Sequence, residues 1–406
     1  MDTVSFLQPE VQCCPFPFIE RLQKAGPVYQ DPLTKFNVVT HYDDIVYVNE
    51  HPELFSNTTS MIVGKVDSPI AAEIAKRYTE RGFLPMHTLV SADPPAHTGY
   101  RALVDKVFTL RFIKGLEPQI TALADQLIDA FIDIGRVDFV REFGIKLPLF
   151  LIADQLGLPQ KDADKFKLWS DMTIECIQPA LPPERELVIT DELINMQNYF
   201  WARAQEYRKT PAPKLLSLLA NAEIDGRKLE GREIASIAQQ LLVAGNESTT
   251  SALGLGVWML LENPDTRMQL TANRDLMPGF VEEVLRLHSP VLHTYRQVIK
   301  DTELHGYPLK KDSIVMLTFL AGNVDESKFA CPHQIDLERA NVKQHLGFGN
   351  GIHYCIGNQL ARGELRIAFD RLLTRLPDMR YDPDFPMPKF APIFHIHGLD
   401  SLHLRF

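Results

Sequence analysis

The sequence lacks any long hydrophobic run. No apolar stretch approaches the roughly 18 residues needed to span a bilayer, and the longest, from Ala252 to Leu261, is about half that length. The amino terminus, Met1 to Ser5, has neither the basic start nor the apolar core of a secretory signal peptide. We therefore expect a soluble, cytoplasmic protein without a membrane anchor.

Cysteine is also scarce, with five residues in a chain of 406. The number is odd, no two cysteines are spaced as CxxC, and Cys13 and Cys14 are neighbours that rarely bridge each other. A disulfide framework or a zinc site is therefore not expected. At most one cysteine needs a special role, and its surroundings must identify it.

Positive charge is in deficit, because 42 Lys and Arg residues face 52 Asp and Glu residues, which gives a net charge of −10. This balance argues against a nucleic-acid partner. No Gly/Ser-rich linker or internal repeat divides the chain, so we predict a single domain over residues 1–406. Its smaller β-rich part is expected at about 27–60, 296–320 and 385–406, and the remainder should be helical.

One helical pattern is much longer than the others. It runs over residues 230–262 and is stopped by Asn263-Pro264. At 1.5 Å per residue this helix would be roughly 48 Å long. By contrast, residues 321–355 are irregular and rich in Gly, Pro, Asn and His. So long an irregular stretch in a compact domain usually has a functional reason.

The irregular stretch ends in the sequence Phe-Gly-Asn-Gly-Ile-His-Tyr-Cys-Ile-Gly at residues 348–357. Its glycines allow positive φ or a close approach of the backbone to a ligand. Cys355 falls at or just before a helix start, where the helix dipole favours a thiolate that can ligate haem iron. A lone cysteine beside a Gly-rich turn is usually inert. The spacing F-G-x-G-x-H-x-C-x-G, however, fixes six positions in ten, which rarely coincide by chance, so it favours a functional cysteine.

With this loop the chain resembles the cytochrome P450 haem-thiolate monooxygenases. The resemblance implies a mainly α fold with a small β region, a triangular helical prism with haem b between the long helix and the cysteine loop. It also implies that Cys355 is the proximal iron ligand and that Phe348, Gly349 and Gly357 lie against the haem.

Glu283-Val284-Leu285-Arg286 matches the E-x-x-R pair of that family, and Arg339 matches its third member. Residues at i and i+3 share one helix face. In isolation such a pair would be an exposed ion pair worth under ~1 kcal/mol. The resemblance instead implies a structural ion-pair triad, which we do not regard as catalytic.

The segment from Ala244 to Thr250 lies midway along the longest helix and resembles the oxygen-activation motif A-G-x-[D/E]-T. Glu247 takes the acid position, and Ser248 takes the alcohol position where threonine is usual. Serine keeps the hydroxyl but loses the methyl group that stiffens χ1. The predicted catalytic residues are Glu247, Ser248 and Thr249, with Ala244 and Gly245 against the haem. A polar kink in the helix is the structural alternative.

The segment from Asp93 to Arg101 resembles the D-P-P-x-H-x-x-x-R motif, which implies that His97 and Arg101 bind a haem propionate. Arg296, His345 and His353 match further propionate contacts. The family's substrate-contact regions predict a mostly apolar pocket. Its predicted lining comprises Met86, His87, Gln240, Val243, Leu292, Thr294, Phe394 and Ile396.

The implied function is a monooxygenase that inserts one oxygen atom from O₂ into a small, mostly apolar substrate. The chain has no G-x-G-x-x-G after a strand and no flavin or iron–sulfur segment, so a ferredoxin and an NAD(P)H-dependent reductase are the expected electron donors. Arg101, Lys106, Arg111 and Lys114 could attract an acidic ferredoxin, although a solvated helix face explains Lys106 and Lys114 equally well. Two alternatives stay open: a peroxygenase or haem isomerase on the same fold, and a non-catalytic gas-binding haem protein.

Overall fold

The computed structural model describes residues 4–59, 68–178, 181–224 and 226–406. Within these residues the protein is mainly helical with a small β component, as predicted. The helices are α1 (Pro9–Cys13), α2 (Phe16–Ala25), α3 (Tyr42–Glu50), α4 (Ala71–Arg81), α5 (Ala96–Asp105), α6 (Leu110–Asp129), α7 (Lys146–Leu156), α8 (Ala163–Cys176), α9 (Pro183–Lys209), α10 (Leu215–Asn221), α11 (Gly231–Glu262), α12 (Pro264–Ala272), α13 (Met277–His288), α14 (Phe319–Asn323) and α15 (Asn358–Arg375). In the described part of the chain, none of these helices is both long and apolar enough for a bilayer crossing.

The strands are short. They are β1 (Val28–Gln30), β2 (Asn37–Val39), β3 (Phe55–Ser56), β4 (Arg136–Asp138), β5 (Glu223–Ile224), β6 (Arg227–Lys228), β7 (His293–Val298), β8 (Thr302–Leu304), β9 (Tyr307–Leu309), β10 (Ile314–Thr318), β11 (Arg380–Tyr381) and β12 (His403–Arg405). Most of them fall in the predicted β-rich ranges, but β4, β5, β6 and β11 lie outside those ranges and β7 begins three residues before one of them. Residue 60, at the edge of one predicted range, is outside the described residues.

The chain divides into two compact units. The first comprises Met1–Phe55, Leu110–Pro148 and Glu247–Phe406, and the second comprises Ser56–Thr109 and Leu149–Asn246. These limits do not follow the predicted division into a β-rich and a helical part. The expectation of a single domain over 1–406 stays a prediction.

The main sheet of the first unit joins the amino-terminal hairpin to the later strands. Its strand order is β1-β2-β10-β7-β3. Parallel pairing of β2 with β10 sets Asn37 beside Val315, and antiparallel pairing of β10 with β7 sets Val315 beside Arg296. The apolar core against this sheet includes Val39 and Leu346, so the chain just ahead of the cysteine loop is anchored to the sheet.

Helix α11 begins and ends within one residue of the predicted limits. Asn263, the residue before Pro264, is disfavoured in helical conformation, which accounts for the end of the helix. In the first unit α11 packs closely on α15, because a Cβ added at Gly256 would lie 2.1 Å from the ring of Phe369. The half of α11 that carries Glu247 is therefore fixed against the helix that follows Cys355.

Helices α6 and α15 pack together in the first unit, and ion pairs join their exposed edges. Arg366 bonds Glu117 at 2.7 Å and Arg371 bonds Asp125 at 2.8 Å. Such partly exposed pairs contribute little to stability, typically under about 1 kcal/mol each.

The second unit is helical apart from the β5–β6 hairpin. The start of α11 approaches α9 closely, since a Cβ added at Gly231 would meet the ring of Phe83 at 2.7 Å and that of Trp201 at 3.2 Å. Glu233, in the first turn of α11, accepts hydrogen bonds from Arg227 and Tyr100. Burial raises the pKa of Glu233, but these donors outweigh it and lower the pKa to about 2.

Candidate active site

The loop ahead of α15 holds Cys355 by its backbone. The N–H of Cys355 donates to the carbonyl of Phe348 at 2.9 Å, and its own carbonyl accepts from Nδ2 of Asn358 at 2.7 Å. The side chain is half-buried, and a Cβ added at Gly357 would meet only the sulfur, at 3.9 Å. The backbone of Cys355 is thus fixed, and the space beside Gly357 is open up to Sγ.

Asn49, at the end of α3, connects the cysteine loop to Arg296 on β7. Its Oδ1 accepts from Nη2 of Arg296 at 2.5 Å, and its Nδ2 donates to Oδ1 of Asn350 at 2.6 Å. Gly351 has φ +69, and a Cβ there would lie 2.7 Å from the carbonyl oxygen of Asn49. Gly349 also takes positive φ, at +65. Asn49 was not predicted, because no local motif marks it.

His345 is completely engaged inside the protein. Its Nε2 donates to Oε2 of Glu282 at 2.8 Å, and its Nδ1 accepts the N–H of Gly347 at 3.0 Å. Both nitrogens are therefore occupied, so His345 holds the loop and we do not assign it to a propionate. His353, half-buried two residues before Cys355, stays a predicted propionate contact.

Two more residues beside the loop were not singled out from the sequence. Glu282 accepts from Nε of Arg362 at 2.6 Å and from its Nη2 at 3.1 Å. The guanidinium of Arg362 lies 4.5 Å from the ring centroid of Phe348. A sequence signal existed, since Glu282 directly precedes the E-x-x-R pair, but its partners lie 63 and 80 residues away.

The ion-pair triad is buried beneath the irregular stretch. Glu283 binds Arg286 through both carboxylate oxygens, each at 2.8 Å, and accepts from Nε of Arg339 at 3.0 Å. Arg286 also donates to the carbonyls of Asn323 and Pro332. Glu283 and Arg286 are fully buried. The triad thus holds the irregular stretch, which leads to the cysteine loop, against α13.

The segment from Ala244 to Thr250 is an uninterrupted part of α11. Glu247 and Ser248 are half-buried, whereas Thr249 is only 4% exposed. Neighbouring positions on a helix point about 100° apart, which is why Ser248 and Thr249 differ in exposure. All three lie in the same compact unit as Cys355.

The predicted pocket residues of the first unit come from two adjoining segments. An isolated bridge pairs Val291 with Ile396, and the N–H of Leu292 donates to the carbonyl of His395 at 2.9 Å. Leu292, Phe394 and Ile396 are buried. The hydroxyl of Thr294, half-buried between them in sequence, accepts from Arg296 at 3.2 Å.

In the second unit, the predicted propionate residues lie on α5. His97 is buried, and burial together with the charge of Arg101 lowers its pKa. Nε of Arg101 bonds Asp105 at 2.9 Å. On α11, Ala244 is exposed while Gly245 lies against α7, where a Cβ would sit 3.0 Å from Ile152.

Gln240 connects α11 to the segment that carries Met86 and His87. Its Nε2 donates to the hydroxyl of Thr88 at 2.9 Å, and its Oε1 accepts from the N–H of Val90 at 3.0 Å. The amide is therefore engaged in positioning this segment, so we do not assign it to substrate. Met86 and His87 are half-buried, and Val243 is buried.

Three buried histidines, His288, His293 and His397, lie on or next to the segments that carry Leu292 and Ile396. Nδ1 of His397 donates to the carbonyl of His288 at 2.6 Å, and their rings lie 5.7 Å apart. His293 contacts the ring of Phe394 at 5.6 Å. Burial is the main cause that lowers the pKa values of His288 and His293 to about 3 and of His397 to about 4.

These histidines predict a loss of stability in mild acid. Below pH 6.5 the unfolded chain binds protons that the folded protein does not bind until about pH 4 at His397 and about pH 3 at His288 and His293, so stability falls as the pH is lowered through this window. We expect about 1–2 kcal/mol of lost unfolding free energy per histidine at pH 5. Urea unfolding at pH 7 and pH 5 measures it. His397→Gln should reduce the difference between the two pH values, and an unchanged difference would contradict the assignment.

The residues around Cys355 fit a haem. A porphyrin supplies four ligands to its iron, so one protein thiolate suffices as axial ligand. The open space beside Gly357 and the buried ring of Phe348 provide room and an apolar surface for the porphyrin ring. The buried guanidinium of Arg296 provides the cation that a buried haem carboxylate requires. In the described residues, no group of three or more His, Cys, Asp or Glu side chains is arranged for a metal.

Sequence comparisons match almost the whole chain. The family model named Cytochrome P450 matches residues 266–377. A steroid C26-monooxygenase of Mycobacterium tuberculosis is 34% identical over 380 residues, which cover 94% of this chain and 97% of that protein. A putative cytochrome P450 of Bacillus subtilis, YjiB, is 32% identical over 395 residues, covering 96% and 93%.

Solved structures match equally completely. Cytochrome P450 CREJ in complex with (4-ethylphenyl) dihydrogen phosphate superposes with a TM-score of 0.91 at 29% identity, covering 97% of this chain and 98% of that one. CYP109E1 from Bacillus megaterium in complex with testosterone has a TM-score of 0.84 at 30% identity, covering 98% and 99%.

Proposed function

Because the chain belongs to the cytochrome P450 family and is a P450 monooxygenase, we propose that Cys355 holds haem b and that the enzyme inserts one oxygen atom from O₂ into a small, mostly apolar substrate. The observation that carries this proposal is the cysteine loop. Its backbone fixes Cys355 through Phe348 and Asn358, and a Cβ at Gly357 would meet only the sulfur within 4 Å.

Bound haem supplies the oxygen activation, which a thiolate ligand favours. The chain's own residues would bind the haem, transfer protons and orient the substrate. Arg296, oriented by Asn49, would bind a propionate. The carboxylate of Glu247 and the hydroxyl of Ser248 would hold and pass protons, with the buried Thr249 supporting the helix beside them. Leu292 and Ile396 would orient an apolar substrate and exclude water.

Steroids are the first substrate class to test. The relative from Mycobacterium tuberculosis is named for a steroid reaction, and the CYP109E1 structure contains testosterone. Leu292, Phe394 and Ile396 supply apolar contacts of the kind that such a ligand requires. Aromatic phosphates are the comparison class, because a phosphate ester occupies the CREJ complex.

P450 monooxygenases generally need a redox partner, and we propose a separate ferredoxin with its NAD(P)H-dependent reductase. Lys106, Arg111 and Lys114 are exposed, whereas Arg101 is partly buried and bonded to Asp105. The exposed three are therefore the better candidates for attracting an acidic ferredoxin.

The proposal is tested by the spectrum of the reduced, carbon-monoxide-bound protein. Thiolate ligation should give a Soret band at about 450 nm, and a band at about 420 nm or no haem signal would overturn it. Binding of the correct substrate class should then shift the ferric haem from low to high spin. Comparing peroxide-driven turnover with turnover by NADH and ferredoxin separates a monooxygenase from a peroxygenase, and absence of any spin shift would favour a gas-binding protein.

Replacing Ser248 tests the proton pathway. Ser248→Ala removes the hydroxyl at the position where the family usually has threonine, so we expect several-fold more peroxide per NADH consumed. Ser248→Thr is the matched control and should couple at least as well as the wild type, because its methyl group restricts χ1. Product and peroxide yields measure the effect. Equal coupling in Ser248→Ala would remove Ser248 from the pathway.

A further inference from the structure

Glu282 is a buried carboxylate that the ion-pair triad does not use. It precedes Glu283 on α13 and is 4% exposed. Its Oε1 accepts from Nε of Arg362 at 2.6 Å, and its Oε2 accepts from Nη2 of Arg362 at 3.1 Å and from Nε2 of His345 at 2.8 Å. Oε1 thus faces Arg362 on α15, and Oε2 faces both Arg362 and His345, which lies three residues before the cysteine loop.

The hydrogen bonds of His345 determine its charge. Because the N–H of Gly347 donates to Nδ1, that nitrogen carries no proton, and the ring proton must lie on Nε2, facing Glu282. Burial lowers the pKa of His345, which keeps the ring neutral. The pKa of Glu282 is raised by burial, but its donors outweigh this and lower it to about 2. The cluster therefore contains one negative carboxylate and one positive guanidinium.

Arg362 reaches Cys355 by two routes. Its guanidinium lies 4.5 Å from the ring centroid of Phe348, whose carbonyl accepts the N–H of Cys355. Its Nη1 donates to Oδ1 of Asn358 at 2.8 Å, and Nδ2 of Asn358 donates to the carbonyl of Cys355 at 2.7 Å. It also bonds the side chain of Tyr354. The side chain of Arg362 is 19% exposed.

We propose that Glu282 is a positioning residue and the counter-charge of Arg362, and that this pair sets the reduction potential of the haem bound by Cys355. The inference rests on the proposed function, since it requires haem at Cys355. One-electron reduction adds negative charge at the iron, so an uncompensated guanidinium nearby favours the ferrous state and an uncompensated carboxylate opposes it. With both charges present, the two effects largely cancel.

Four haem-loaded proteins test this by spectroelectrochemical titration with redox mediators: the wild type, Glu282→Gln, Arg362→Gln and the double variant. We expect Glu282→Gln to raise the ferrous-to-ferric ratio at a fixed potential by about tenfold, which is about 59 mV for a one-electron couple. Arg362→Gln should lower the ratio by a similar factor. The double variant, again neutral, should return close to the wild-type value.

A merely structural role gives a different pattern. It predicts that both single variants shift in the same direction and that the double variant shifts furthest, and either result would overturn the proposal. Arg362→Lys and Glu282→Asp keep the charges and should stay near the wild-type potential if the larger changes impair folding. A wild type without the band at about 450 nm would overturn the proposed function itself. A wild type with that band and unshifted single variants would overturn this inference alone.

Discussion

Cys355→Ala should abolish the band at about 450 nm in the reduced, carbon-monoxide-bound protein and reduce monooxygenase turnover to background. The thiolate is the one protein ligand that the proposal gives to the iron, and alanine offers no ligand atom. The loop itself should persist, because the hydrogen bonds from the backbone of Cys355 to Phe348 and Asn358 do not depend on its side chain. Far-ultraviolet circular dichroism should therefore remain close to that of the wild type.

The matched control is Cys331→Ala, since Cys331 is exposed and lies outside the loop. It should keep both the band and the turnover. Loss of the band in both variants would show that the measurement reports general damage. A normal band in Cys355→Ala would remove Cys355 as the ligand.

Glu283→Gln should destabilise the protein by about 3–5 kcal/mol, because it leaves two buried guanidinium groups without their shared counter-charge. Glutamine has nearly the same size as glutamate, so the loss would arise from charge and hydrogen bonding. Arg286 and Arg339 also donate hydrogen bonds to backbone carbonyls of the irregular stretch before the cysteine loop. We therefore expect lower haem content in addition to a lower urea midpoint.

Glu117→Gln provides the comparison for this prediction. It breaks the Arg366 pair, in which both side chains are about 40% exposed, and should cost under about 1 kcal/mol. Equal effects of the two substitutions would show that burial does not govern the strength of the Glu283 cluster.

Elements and motifs with a local signal were predictable. The limits of α11 followed from its helical pattern and Asn263-Pro264, and β1 and β2 fall in the range at 27–60 that was predicted to be β-rich. The structural matches confirm the P450 fold that the cysteine loop implied. The glycines of that loop marked the positions where positive φ is needed, as at 349 and 351.

Side-chain partners distant in sequence could not be predicted. The resemblance placed His345 beside a propionate, but its neighbour Glu282 comes from a helix 63 residues earlier. Gln240 was expected to face substrate, yet Thr88 and Val90, about 150 residues away, occupy its amide. Periodicity states which face of an element is buried and carries no information about which polar group meets it there.

The bridge through Asn49 also constrains when the cysteine loop can be completed during synthesis. Asn49 and Asn350 are 301 residues apart in the chain. At a translation rate of about 5–20 residues per second, the loop would emerge about 15–60 s after its amino-terminal support. The bridge through Asn49 can therefore form only after the last part of the chain arrives, and stable capture of the cofactor becomes a late event in the life of each new molecule.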